Sequence, residues 1–214
     1  RPAGPGPWWR QAGAALLEAV FPHACLSCGV FLGPRGAAAF RAGREENAGF
    51  PPPAPDGAAY RAALDGFLCA ACAADFEGLA APYCVRCGGM FPSRAGANRT
   101  CGGCLAESSP LGMARSVGRY AGSLRRAVQQ LKYRGRRELA DPLGGLLLEA
   151  FRHHWAREEV DLVLPVPLNP RRERRRGFNQ SALVVRSWAR DLSRRGASGP
   201  AVAADGKILA RPKA

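Results

Sequence analysis

The chain has 214 residues, 47% of them hydrophobic, which is enough for one medium domain with its own core plus a small one. Thirty-one Lys and Arg against 17 Asp and Glu give a net charge of +14, which favours an anionic partner such as nucleic acid or a phosphorylated substrate. No run approaches the roughly 18 uninterrupted apolar residues of a membrane span, so none is expected, and a cytoplasmic location follows. The charge is nearly all Arg, with Lys only at Lys132, Lys207 and Lys213, and Ala is abundant. A compositional bias therefore accounts for part of it.

Trp8 to Phe21 reads as an amphipathic helix with Leu16, Leu17 and Val20 on or near one face. It lacks the basic start and cleavage site of a signal peptide. All eight cysteines then fall into four Cys-x-x-Cys pairs: Cys25/Cys28, Cys69/Cys72, Cys84/Cys87 and Cys101/Cys104. Two such knuckles complete a closed tetrahedral site of the kind zinc prefers, and reducing conditions favour metal over disulfides. Two structural zinc ions are expected. With eight thiolates and two zinc ions the net charge falls from +14 to about +10. Gly29, Gly88 and Gly102 each follow a cysteine, where a positive φ would turn backbone amides toward sulfur.

The simplest pairing is sequential. Thirteen residues separate the knuckles of Cys84, Cys87, Cys101 and Cys104, and 40 separate those of Cys25, Cys28, Cys69 and Cys72. Residues 33–63, rich in Gly, Pro and Ala, account for the excess as a flexible insertion. Spacing leaves crossed pairing open. His23 reads as a turn residue and not as a ligand. The predicted organisation is a helix over 1–22, a double ribbon over 23–105 and a second domain over 106–214.

Beyond residue 106 the cysteines stop. Arg115–Tyr120 is predicted as a short strand, Gly122–Tyr133 as a helix carrying Leu124, Ala127, Val128 and Leu131, and Leu139–Trp155 as a second helix. The second helix would bury Leu143, Leu146, Leu147, Ala150 and Phe151, with His153 and His154 as a solvated C-terminus. Val160–Leu164 reads as a buried parallel strand stopped by Pro165-Val166-Pro167. A loop with Arg171, Arg172, Arg174, Arg175 and Arg176 follows. Gly177-Phe178-Asn179-Gln180 then opens a helix with Leu183, Val184, Ser187, Trp188 and Leu192 on one side. A basic loop between a strand and a helix is a favourable phosphate site. The same run also reads as a solvated surface or a nucleic-acid patch.

Four stretches in order resemble the ComF family of competence proteins, which are related to amidophosphoribosyltransferases: LLEAVFPHACLSCG (Leu16–Gly29), the paired ribbons, YAGSLRRAVQQLKYRG (Tyr120–Gly135) and PVPLNPRRERRRGFNQS (Pro165–Ser181). The resemblance implies an α/β, Rossmann-like phosphoribosyltransferase domain after the ribbons. In that domain a parallel sheet carries loops that hold phosphoribosyl pyrophosphate with magnesium. By position, Pro165, Val166, Pro167 and Leu168 would form the pyrophosphate loop, though the two prolines have no N–H to donate. Arg171, Arg176, Gly177 and Lys132 are the further phosphate candidates. Asn179 is the better cap for the following helix. A role in DNA uptake and a competence helicase partner are implied in the same way, and single-stranded DNA is a further candidate partner of the basic residues.

One departure is marked. The phosphoribosyltransferase fingerprint pairs two adjacent acids with a Thr-Gly turn after a strand. Here there is no Asp-Asp pair, the only threonine is Thr100, and Glu45-Glu46 and Glu158-Glu159 follow no apolar strand. The chain is therefore expected to be the front part of a longer protein, its transferase-like domain incomplete at the C-terminus and inactive by itself. The competing reading is a non-catalytic module that binds single-stranded nucleic acid through its ribbons and Arg171–Arg176. Phe31, Tyr83, Phe91 and Phe178 are its candidate stacking aromatics. A partner-docking scaffold is a third reading.

Overall fold

The computed structural model describes residues 23–33, 57–107, 110–155, 160–194 and 201–202. The helix expected over Trp8–Phe21, residues 34–56 of the insertion and most of the C-terminal tail lie outside them. In chain order the helices are α1 (Ala58–Ala63), α2 (Ala70–Ala74), α3 (Gly102–Ala106), α4 (Gly122–Tyr133), α5 (Ala140–Trp155), α6 (Pro170–Arg176) and α7 (Gln180–Arg194). A 3-10 turn, Arg137–Leu139, leads into α5, and two short strands, β1 (Leu162–Val163) and β2 (Ala201–Val202), flank α6 and α7.

One apolar core joins the first cysteine region to the helices. Cys25, Leu26, Tyr60, Leu64, Phe67 and Leu68 are buried together with Leu124, Ala127 and Leu131 of α4 and Leu139, Leu143 and Leu146 around α5. Helix α1 lies within the stretch read as a flexible insertion, yet its Tyr60 is only 1% exposed. The Tyr60 ring stacks on Phe76 with centroids 4.0 Å apart. Its hydroxyl donates to Ser123 Oγ at 2.9 Å. Ser123 Oγ in turn donates to Asp75 Oδ1 at 2.5 Å, and the Ser123 backbone N–H reaches the same oxygen at 3.2 Å. Helix α4 has no capping side chain of its own, so Asp75 satisfies its N-terminus from the ribbon region. Burial pushes the Tyr60 hydroxyl up to about 12, keeping it a neutral donor.

Helix α5 packs on α1 on one side and most extensively on α7 on another. Its buried arc is therefore wider than one amphipathic stripe: Leu148 is buried, while Leu147, expected inside, is exposed. Gly144 allows the close approach of α7. A Cβ at Gly144 would lie 1.9 Å from Ser187 Oγ and 2.9 Å from the Val184 carbonyl. Trp188 Nε1 donates to the Gly144 carbonyl at 2.7 Å, and Phe151 packs on the Trp188 ring.

The strand expected over Arg115–Tyr120 is reduced to one antiparallel bridge, Gly78 to Gly118. β1 is shorter than the predicted Val160–Leu164 and pairs in parallel with β2, Leu162 opposite Ala201 and Val163 opposite Val202. The segment β1–α6–α7–β2 is thus a single parallel crossover, the unit from which α/β sheets are built. Among the described residues there is no larger sheet, and none of the described helices is long and apolar enough to cross a membrane.

The second cysteine region docks at the far end of α5, where the Tyr83 ring meets His154 edge-on at 6.2 Å. His154 is therefore half-buried and not solvated as expected, whereas His153 is exposed. Burial, with His153 and Arg115 nearby, lowers His154 from 6.5 to about 4.

Two outcomes follow. Gly144→Ala gains roughly 1 kcal/mol of helix propensity but forces α7 away, so it should destabilise the protein by about 1–3 kcal/mol in denaturant titrations. Adding Ser187→Ala should recover part of the loss. A histidine held neutral in the fold takes up a proton on unfolding, so stability should fall as pH drops from about 6.5 toward about 4. His154→Phe should flatten that limb of a stability–pH profile relative to the parent.

Candidate metal centres and the basic segment beside them

The two cysteine clusters are built alike. In each, the first knuckle is a turn closed by a backbone N–H donated from a glycine to the first cysteine carbonyl: Gly29 to Cys25 at 2.8 Å and Gly88 to Cys84 at 2.9 Å. Both glycines have positive φ, 78° and 72°, as expected. Gly88 has a second constraint, since a Cβ there would lie 2.7 Å from the Ala114 carbonyl. The second knuckle starts a short helix: Cys69 and Cys101 hold the N-cap positions of α2 and α3 with nearly identical backbone angles, and Cys69 Sγ accepts the Cys72 N–H. Gly102, expected at positive φ, is instead the first residue of α3.

The pairing is sequential. Cys25, Cys28, Cys69 and Cys72 form one group and Cys84, Cys87, Cys101 and Cys104 the other, with all sulfurs of a group within 4.8 Å of one another. Cys28 Sγ lies 3.7 Å from Cys69 Sγ, and Cys87 Sγ lies 3.8 Å from Cys101 Sγ. Tetrahedral zinc with Zn–S of about 2.3 Å sets its sulfurs about 3.8 Å apart, whereas a disulfide needs about 2.05 Å. None of the eight cysteines is disulfide-bonded.

The electrostatics fit a dication equally well. Burial pushes the Cys25 thiol up, but the amides of Cys28, Cys69 and Ser27 outweigh it and hold it at about 6. The amides of Cys101 and Cys87 hold Cys84 at about 6. Cys72 is pushed to about 12: a hydrogen bond with Ser27 opposes the shift, but burial and the neighbouring thiols prevail. The Cys101 thiol, burial and Cys87 likewise push Cys104 to about 12. Four thiolates this close cannot all ionise without a cation among them, and a zinc ion held by the four sulfurs would supply it. In each group one sulfur is buried, one exposed and two half-buried.

The segment read as a basic loop is helical. Asn169 Oδ1 accepts the Arg171 N–H at 3.0 Å, Pro170 occupies the first turn, and Gly177 ends α6 at φ 78°. Arg171, Arg172, Arg174 and Arg175 are exposed, whereas Arg176 turns inward. Arg176 donates to Gln180 Oε1, and its guanidinium lies 5.3 Å from the centre of the Tyr133 ring. Arg137, which carried no motif signal, donates to the Gly177 carbonyl at 3.1 Å and lies over Phe178 at 4.7 Å. The two most specific sequence motifs, at the end of α4 and at the α6–α7 junction, are thereby brought together.

Asn179 links this junction to the Pro165–Leu168 loop. Its Nδ2 donates to the Val166 carbonyl at 3.1 Å, while its Oδ1 accepts the Ser181 N–H at 2.9 Å and caps α7. Among the described residues the Val166 and Leu168 amides donate to no acceptor. Lys132 is half-buried on α4. Of the candidate stacking aromatics, Phe31 is exposed, Tyr83 lies against His154 and Arg115, Phe91 is covered by Arg99, and Phe178 is buried under Arg137.

Equal chemistry in unequal surroundings gives a direct test. Cys28→Ser and Cys87→Ser each alter one exposed ligand, and each should lower zinc content from two ions per chain toward one. Cys28→Ser should cause the larger fall in melting temperature, because only its cluster is built into the shared core.

No family model matches the chain, and no solved structure matches it. Curated relatives do. The chain is 41% identical over 97 residues to DNA utilization protein YhgH of Escherichia coli (strain K12), covering 43% of this chain and 42% of that protein. It is 38% identical over 109 residues to the Salmonella typhimurium protein of the same name, covering 50% and 47%. It is 29% identical over 128 residues to Competence protein F of Haemophilus influenzae, covering 58% and 54%. These matches span about half the length of the relatives, or less. Together with the two four-cysteine clusters they bear out the resemblance read in the motifs: the chain is homologous to DNA utilization protein YhgH and to Competence protein F.

Proposed function

We propose that this chain belongs to a ComF-type protein acting in competence and DNA uptake, whose full-length form binds phosphoribosyl pyrophosphate with magnesium on the Pro165–Leu168 loop. The observation that carries the reading is Asn179, which ties that loop to the start of α7 while capping the helix. The loop leaves the C-terminal end of a parallel strand, the usual ligand position in α/β units. Its Val166 and Leu168 amides, which donate to no acceptor among the described residues, and the cations of α4 and α6 suit a polyphosphate. In this reading the chain's own residues bind and orient: the Val166 and Leu168 amides face the pyrophosphate, Arg176 and Lys132 add positive charge, and Arg137 holds Gly177 in place. Both zinc ions are structural, since four sulfur ligands leave no open coordination position.

A second reading, a non-catalytic module for single-stranded nucleic acid, is favoured by the exposure of Arg171, Arg172, Arg174 and Arg175, none of which joins an ion pair among the described residues. The two readings separate by calorimetry. Titrating phosphoribosyl pyrophosphate and magnesium into the full-length protein should give saturable binding, weakened about tenfold or more by Asn179→Ala. Absence of binding in a folded, DNA-binding full-length protein would leave only the second reading.

A further inference from the structure

Helix α4 has two unlike faces. Ser123, Leu124, Ala127 and Leu131 are buried in the shared core. At 100° per residue the opposite side carries Arg125, Arg126, Gln129, Lys132 and Tyr133. Arg125, Arg126 and Tyr133 are exposed, Gln129 and Lys132 half-buried. The helix contains no Asp or Glu. The three ion pairs among the described residues engage Arg119, Arg136 and Arg152, and none falls on this face. An ordinary solvated helix face mixes signs at i,i+4 spacing. Here Arg125 also sits close to the positive end of the helix, where a cation costs stability.

Tyr133 gives the face its specificity. The residue is largely exposed at the C-terminal end of the helix. One side of the ring carries the Arg176 guanidinium at 5.3 Å, which joins the α4 face to the basic helix α6. With the residue 65% exposed, the ring leaves room for a planar ligand. Positive charges along a track with an exposed aromatic at its end, backed by a guanidinium, are what a single strand needs. Its phosphates take the cations, and an unstacked base takes the ring. A duplex offers no free base, and a lipid surface would not need the ring.

We propose that the outer face of α4 is a binding track for single-stranded DNA, with the phosphates on Arg125, Arg126 and Lys132 and one base stacked on Tyr133. The proposal rests on the DNA-handling part of the function above and not on phosphoribosyl pyrophosphate binding.

The test is fluorescence anisotropy of a labelled oligothymidylate with the zinc-loaded chain over a salt series. Arg125→Glu combined with Arg126→Glu should weaken binding tenfold or more and flatten the log–log salt slope by about 1.4, at roughly 0.7 per single-strand phosphate contact. Acidic residues near a helix N-terminus favour the helix, so misfolding does not explain such a loss. Tyr133→Ala should weaken binding about fivefold or more at unchanged slope, and Tyr133→Phe should restore it. The track is refuted if the double charge reversal leaves affinity and slope intact while substitutions in α6 abolish binding. Equal affinity for duplex DNA or for anionic vesicles, or loss in Tyr133→Phe equal to that in Tyr133→Ala, overturns the single-strand assignment.

Discussion

The first four-cysteine cluster shares its core with the helices, and the rest of the structure depends on that. Cys25 and Leu26 are buried among Tyr60, Leu64, Leu124 and Leu131. Asp75, three residues after Cys72, caps α4 through Ser123, which also receives the Tyr60 hydroxyl. A structural zinc site contributes on the order of 10–16 kcal/mol of apparent binding energy at neutral pH, comparable to or larger than the roughly 5–15 kcal/mol net stability of a whole domain. A metal bound by these four cysteines would therefore fix the position of α1, α2 and the start of α4 together.

The second cluster repeats the chemistry in a looser setting. It meets α5 through Tyr83 and His154, and Arg115 helps hold it by donating to the Val85 and Ala114 carbonyls. It can thus form as a local unit while the first cluster anchors the helical core. Helix α4 links these roles: its inner face completes the core, its end contacts the α6–α7 junction, and its outer face is left basic. The Pro165–Leu168 loop is tied to the start of α7 by Asn179, and α4 reaches the same junction through Tyr133 and Arg176.

Much of this was legible in the sequence. Four Cys-x-x-Cys pairs at ribbon spacing admit few other chemistries, and helix α4 has the residues its periodicity predicts. What escaped has physical causes. The buried arc of α5 is set by two neighbours, and periodicity reports only one face, so Leu147 and Leu148 were exchanged. The basic run looked like a loop because its charge masked the signals of a helix, an Asn cap, a proline in the first turn and a terminal glycine. Arg137 gave no sign of its role, because its partners, Gly177 and Phe178, are 40 or more residues away. The sequential metal pairing, left open by spacing, was decided by sulfur positions.

The most direct test of the central claim is amide hydrogen exchange of α4 before and after zinc removal. If the first cluster is a structural element of the shared core, the amides of Leu124–Leu131 should lose most of their protection when a chelator strips the metal, and should regain it on adding zinc. If α4 keeps its protection in the metal-free chain, the cluster is an appendage, and the helical core stands without it.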